Sequence, residues 1–268
     1  MVDQVDEWRL LDLSYHDPYL NMAAEEAILQ AVGAGQAPPT LRLWQNDNAV
    51  IIGYFQDAAA EADLEACRSL GTAVVRRISG GGAVYHDPGN LNYALFVPAS
   101  DRRVPEEVLA SYRYFCNGVI EALASLGLRA EFAPINDIVV DGRKVSGTAQ
   151  ARRHGGILHH GTLLLSLDVA TMGRVLRVTR EHLEKKGVAS VTERVATLGQ
   201  LGRPCTIAEA KEALVKGFSR ALGVHFQAGE LTRAELELTN RLCEERYRRP
   251  EWNLVAPKEH RENKGHLG

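Results

Sequence analysis

Asn136-Asp137-Ile138-Val139-Val140-Asp141-Gly142-Arg143-Lys144-Val145-Ser146-Gly147-Thr148-Ala149-Gln150 is the stretch whose reading decides the fold. Two short runs flank Asp-Gly, a pair that tolerates the positive φ angles of a two-residue hairpin loop. With Asp141-Gly142 as the loop, Val140 faces Arg143, Val139 faces Lys144 and Asp137 faces Ser146. Side chains alternate along a strand, so Asp137, Val139, Lys144 and Ser146 are expected on one face. Asp137 then lies diagonal to Lys144, at roughly 7 Å between Cα atoms. A lysine and a carboxylate so placed can hold both ends of a phosphate–magnesium group. A solvated cross-strand ion pair fits the spacing equally well. Gly147-Thr148-Ala149 leaves room for a ligand beside the lysine, or forms a plain turn.

Upstream, Arg76-Arg77-Ile78-Ser79-Gly80-Gly81-Gly82-Ala83-Val84-Tyr85-His86-Asp87 carries a second signal. Three glycines after a strand strip side chains from the backbone and let its N–H groups approach an anion. Arg77 and Ser79 add a guanidinium and a hydroxyl. A strand follows, so this is neither a Walker A loop nor a dinucleotide-binding turn. Downstream, Leu158-His159-His160-Gly161-Thr162 reads as strand, with His160 sharing a face with Leu158 and Thr162. His159 points the other way and reads as a core histidine.

Around these stretches the patterning alternates strands with helices. A helix is expected from an Asn21 cap through Met22–Val32. Strands are expected at 41–44, 48–54, 72–77, 83–85, 91–97 and 157–165, and helices at 59–70 and 105–126. Thr206-Ile-Ala-Glu209 and Thr232-Arg-Ala-Glu235 are capping boxes, and Gly223 suits a helix stop. The expected architecture is α/β (α+β): one mixed-sheet catalytic body over residues 1–268, with a helical C-terminal portion from about 180.

The 268 residues carry a formal net charge of -3 with 45% hydrophobic residues. Bulk charge does not suggest nucleic-acid binding, and no run approaches the ~20 apolar residues of a membrane span. The polar N-terminus lacks a signal-peptide core, so a cytoplasmic location is expected. Cys67, Cys116, Cys205 and Cys243 form no CxxC pair, which argues against a zinc site or a disulfide framework.

Together, NMAAEEAIL, LRLWQN, VIIGYFQ, RRISGGGAVYHDPGNLNY, NDIVV, GRKVSGTAQ, HHGTLL and SVTERVATL resemble the lipoate–protein ligase A family of the biotin/lipoate ligase fold. The resemblance implies an ATP-dependent ligase that forms lipoyl-AMP and passes the lipoyl group to a protein lysine. Lys144 would be its catalytic lysine. Arg77, Ser79, Gly82, Ala83, Val84, Tyr85, Asn136 and Asp137 would hold the nucleotide, with Asp137 meeting Mg2+. Trp44, Arg76, His86, Asn90, Gly147, Thr148, Ala149 and His160 would line the acyl tunnel. The acceptors implied are apo lipoyl domains of 2-oxoacid dehydrogenases or the glycine-cleavage H protein. The chain resembles the split form without the C-terminal accessory domain, which implies a separate small accessory protein.

The nearest alternative is an octanoyl or lipoyl acyltransferase working from an acyl carrier through a cysteine thioester. In that pattern a cysteine lies shortly before the lysine stretch, or far downstream beside a Pro and a Gly. Residues 130–140 hold none, and Cys205 follows Pro204 without the other neighbours. A non-catalytic relay subunit on the same fold is the remaining alternative.

Overall fold

The computed structural model describes residues 6–177 and 194–257. Its frame is an eight-stranded mixed sheet. In spatial order the strands are β11 (Val224–Ala228), β1 (Asp6–Asp12), β2 (Thr40–Trp44), β6 (Asn90–Pro98), β10 (Gly156–Leu164), β9 (Arg143–Arg153), β8 (Asp137–Val140) and β7 (Ala130–Ala133). The β11–β1–β2 edge is parallel and the remaining ladder antiparallel. A second sheet joins β4 (Ala73–Arg76), β3 (Ala49–Ile52) and β5 (Val84–His86). The fold class is the mixed α/β one that the sequence implied.

One face of the large sheet buries Tyr93, Leu95 and Leu163 against α4 (Val108–Ser125) and α6 (Ile207–Leu222). The two helices approach so closely that a Cβ on Gly217 would overlap the Gly118 carbonyl. The other face packs Ala94, Phe96 and Leu158 against α1 (Pro18–Gly33) and the small sheet. Both capping boxes are present, and Gly223 ends α6 at φ 65°.

Four expectations need correction. The α1 cap is Asp17, whose Oδ1 accepts from the Tyr19 amide at 2.8 Å. Asn21 is buried inside the helix, and its Oδ1 accepts from Arg42 Nη2 at 2.6 Å. The helix expected over 59–70 breaks into α2 (Ala58–Glu61) and α3 (Leu64–Ser69), because Asp63 starts a new cap by accepting from the Ala66 amide. The expected helical C-terminal portion contains strand β11, paired parallel to β1. The boundary proposed near residue 180 lies outside the described residues.

The fourth correction concerns the hairpin. Asp141 and Gly142 take φ angles of 49° and 74°, and the pairs Val140–Arg143 and Val139–Lys144 form as expected. A bulge then shifts the register, so Ile138 pairs with Ser146 and Asp137 with Gly147. The extra residue turns Ser146 into the core, where its Oγ lies 2.9 Å from Tyr93 Oη. Ser146 therefore does not share the face of Asp137 and Lys144. A bulge spares a buried hydroxyl from lacking a partner, at the cost of one ladder step.

Candidate active site

A cavity of about 520 Å³ lies between the two sheets. Strands β9 and β10 supply Lys144, Gly147, Thr148, His160 and Thr162, while the small sheet supplies Ile51 and residues 84–86. Leu164, Leu167, Met172 and Leu176 give it an apolar flank. A mostly apolar concavity with a few convergent charges is the usual form of a small-molecule site.

The charged end is built on the bulged hairpin. Lys144 Nζ sits 2.7 Å from Asp137 Oδ1, and Arg194 closes on Asp137 Oδ2. Burial alone would raise the Asp137 carboxyl, but Lys144 and then Arg194 outweigh it and hold the group below its ordinary value. One carboxylate thus faces two cations at this end of the cavity, the kind of placed charge that suits an anion or a polarised carbonyl. Arg194 arrives from far along the chain: the Ala196 amide donates to the Lys144 carbonyl at 2.8 Å and Val195 bridges to Lys144. Its only sequence signal was a charged residue beside Val195-Ala196 in a stretch noted for resemblance.

Lys144 lies directly over Gly147, where a Cβ would overlap both Nζ and Cε of the lysine. Gly147→Ala should therefore displace the ammonium from Asp137. We expect kcat/KM for acyl transfer to fall roughly 10- to 100-fold, since misplacing a charge by about 1 Å is enough to cost that much. Steady-state assay beside a melting curve checks this, with a near-native Tm expected.

Arg77 is not a free fork. It is buried, and its Nε donates to Ser79 Oγ at 2.9 Å, its Nη1 to Ile51 O at 3.1 Å, and its Nη2 to Gly80 O at 2.6 Å and Gly82 O at 2.8 Å. Burial pulls its pKa down to about 10, so it stays cationic at neutral pH. In a trans peptide the N–H points opposite to the preceding C=O. Turning the Gly80 and Gly82 carbonyls onto Arg77 therefore aims the Gly81 and Ala83 amides away from it. Gly81, Gly82 and Ala83 line the cavity, as do Val84 and Tyr85. Arg77, which also lines the cavity, thus shapes the backbone that faces it. Ser79 is 1% exposed and lies beneath the loop.

A buried chain supports this arrangement. Ser79 Oγ is 2.6 Å from His160 Nε2, and His160 Nδ1 is 3.0 Å from a Glu25 carboxylate oxygen. With Arg77 Nε donating to Ser79, the hydroxyl donates to His160 Nε2 and His160 Nδ1–H donates to Glu25. Glu25 was missed by sequence reasoning; two adjacent acids inside an apolar helical run were its signal.

Of the other expected residues, Trp44, His86, Asn136, Thr148 and Ala149 also line the cavity. Arg76 and Asn90 do not. Arg76 is fully buried and donates to the carbonyls of Gly53, Tyr54, Gln56, Trp252 and Asn253. It ties the loop after β3 to α8 (Pro250–Leu254). Asn90 Nδ2 donates to Tyr85 O at 3.1 Å and closes the 86–90 turn.

The magnesium expected at Asp137 finds little support. Among the described residues no three His, Cys, Asp or Glu side chains converge as a metal site, and the Asp137 carboxylate is engaged by two cations.

None of the four cysteines lines the cavity. Cys116 is fully buried with Sγ 3.9 Å from Thr148 Oγ1, and burial pushes its thiol up to about 12. Burial also raises Cys67, Cys205 and Cys243.

Residues 17–219 match the lipoyl protein ligase A/B catalytic domain. Octanoyltransferase LipM of Brevibacillus brevis is 34% identical over 93% of this chain and 99% of its own length. The Symbiobacterium thermophilum protein of the same name is 36% identical, over 92% and 98%. Among solved structures, a bipartite lipoate protein ligase from Thermoplasma acidophilum, studied with its E2 lipoyl domain, superposes with TM-score 0.85 at 34% identity, covering 94% of this chain and 98% of that one. A lipoate-protein ligase A bound with ATP gives TM-score 0.82 at 32% identity over 94% and 100%. The octanoyltransferase relatives overturn the expectation of an ATP-dependent lipoate ligase and favour its alternative, acyl transfer.

Proposed function

The chain belongs to the lipoyl protein ligase A/B catalytic domain family, and we propose that it is an octanoyltransferase, moving a medium-chain acyl group from an activated carrier onto a lysine of a lipoyl domain. The supporting observation is the end-to-end match to octanoyltransferases, spanning the hairpin, the glycine loop and the cavity between them. The apolar flank at Leu164, Leu167 and Met172 suits an alkyl chain. Lys144 and Arg194 suit the carbonyl oxygen, which gains negative charge as the acyl carbon becomes tetrahedral. A lipoyl-domain acceptor is supported by the T. acidophilum neighbour studied with its E2 lipoyl domain.

The test supplies purified chain with octanoyl carrier protein and an apo lipoyl domain, and follows the intact mass of the acceptor. We expect one octanoyl group on one lysine without added ATP. No mass gain from the thioester donor would overturn the reading. A parallel arm with ATP, magnesium and free lipoate or octanoate, and no thioester, measures activation of the free acid as a separate property.

A further inference from the structure

The cavity wall carries a hydrogen-bond chain that neither the charged end nor the glycine loop uses. It starts at Arg42, a fully buried guanidinium that can only donate. Arg42 Nη2 donates to Asn21 Oδ1 at 2.6 Å, and Asn21 Nδ2 donates to Asn46 Oδ1 at 2.7 Å. Asn46 therefore turns its amide nitrogen to His86 Nδ1 at 3.2 Å, so the imidazole proton sits on Nε2. His86 Nε2–H donates to Thr162 Oγ1 at 2.8 Å, and Thr162 turns its one hydroxyl proton to Asn92 Oδ1 at 2.8 Å. Every link points the same way, and the chain ends on Asn92 Nδ2, a donor. Among the described residues Nδ2 meets no acceptor, and Trp44 Nε1, on the cross-strand partner of Asn92, meets none either.

Asn92 and Trp44 both line the cavity, and Asn92 is 1% exposed. A buried donor left without a partner is costly and uncommon in a native fold, and an acceptor on a ligand satisfies it. The sheet register says which part of a substrate carries that acceptor. Trp44, Asn92, Thr162, Gly147 and Asp137 pair in one row across β2, β6, β10, β9 and β8. Neighbouring strands lie about 4.8 Å apart, so Asn92 is roughly 10 Å from Gly147. Lys144 Nζ sits over Gly147. An extended octanoyl chain, seven C–C bonds of about 1.5 Å, spans roughly 9 Å. With its carbonyl at Lys144, its last two carbons fall beside Asn92 and Trp44.

We propose, resting on the transferase reading above, that the far end of this cavity recognises an acceptor oxygen: the protein transfers medium-chain acyl groups with a keto or hydroxyl oxygen near the end of the chain, and prefers them to plain octanoyl. Asn92 is the specificity-determining residue. Its Nδ2 donates to that oxygen, and Trp44 Nε1 faces the second lone pair. A plain octanoyl group sets methylene and methyl carbons against both donors and leaves them unpaired. An oxygenated chain gives up water on entry and gains hydrogen bonds at the end of a chain polarised from Arg42. The transfer of the acyl carbonyl at Lys144 is the same for both.

The experiment is a competition. Octanoyl and 7-oxo-octanoyl carrier proteins are supplied at equal concentration with the apo lipoyl domain, and the two product masses are compared at early times. We expect the 7-oxo product to exceed the octanoyl product about fivefold, the size of one neutral hydrogen bond. A 5-oxo-octanoyl carrier, whose oxygen stops short of Asn92, should show no such gain. Asn92→Leu should bring the 7-oxo ratio to one or below, whatever its absolute rate. A wild-type ratio at or below one would overturn the proposal, and a water molecule serving Nδ2 in both complexes would give that result. So would an equal gain for the 5-oxo chain, or a fivefold ratio that survives in Asn92→Leu. The wild-type comparison stands even if the variant does not fold. If wild-type chain transfers none of these groups, the transferase reading has itself failed. Transfer of all three without preference sinks the acceptor-oxygen proposal alone.

Discussion

Replacing Lys144 with alanine should lower kcat/KM for acyl transfer roughly 10³-fold, about 4 kcal/mol of transition-state stabilisation. The ammonium is held 2.7 Å from Asp137 and is about one-fifth exposed, so its field is poorly screened. Alanine also leaves Asp137 with Arg194 alone, which remains bonded to the other carboxylate oxygen. That surviving partner should keep the fold intact, with Tm lowered by only a few degrees. Lys144→Arg separates charge from position. A guanidinium keeps the positive charge but cannot follow the ammonium's path over Gly147, so a rate between alanine and wild type is expected. If Lys144→Ala transfers within threefold of wild type, the charged end of this cavity is not where the carbonyl reacts.

This site was legible in the sequence where chemistry and local geometry coincided. Asp141-Gly142 fixed the hairpin loop, because few residue pairs accept two positive φ angles, and the loop fixed the Lys144 pairing. The bulge after Val139 was not legible. It places Ser146 beside Tyr93, some fifty residues upstream, a pairing no local pattern announces. Arg76 and Arg77 look alike in sequence. Their roles separate only because strand alternation sends Arg76 toward the carbonyls around α8 and Arg77 beneath the glycine loop. Strand β11 was hidden because Val224–Ala228 gains its partners from β1, at the opposite end of the chain. Glu25 and Arg194 were invisible for a related reason: neither has a local motif, and each acquires meaning only from a residue more than fifty positions away. The ligase expectation rested on residues that shape a cavity common to the superfamily, so these stretches fixed the family better than the reaction.

Acidification from pH 7 to pH 5 should cost this protein about 4 kcal/mol of folding stability, through two buried histidines. His86 and His159 are both pulled from 6.5 down to about 3, chiefly by burial, with His160 adding to each and Arg77 to His86. The hydrogen bonds agree. Gln150 Oε1 accepts from Ser111, so its Nε2 must donate to His159 Nδ1. Asn46 Oδ1 likewise accepts from Asn21, so Asn46 Nδ2 donates to His86 Nδ1. A proton added at either Nδ1 would face an amide donor. His159 also packs between Tyr112 and Phe115, with its ring stacked on Phe115 at 5.0 Å. For a base with a depressed folded-state pKa, the unfolded chain takes up protons that the folded chain refuses. Stability is therefore full above about pH 6.5 and falls as pH drops toward 3, by about 1.4 kcal/mol per unit for each histidine. Asp87, raised by burial, works in the opposite sense but is one group against two. Urea unfolding at pH 7, 6 and 5 measures the slope. His159→Gln should remove about half of it, and a stability unchanged between pH 7 and 5 would show that these imidazoles accept protons in the folded state.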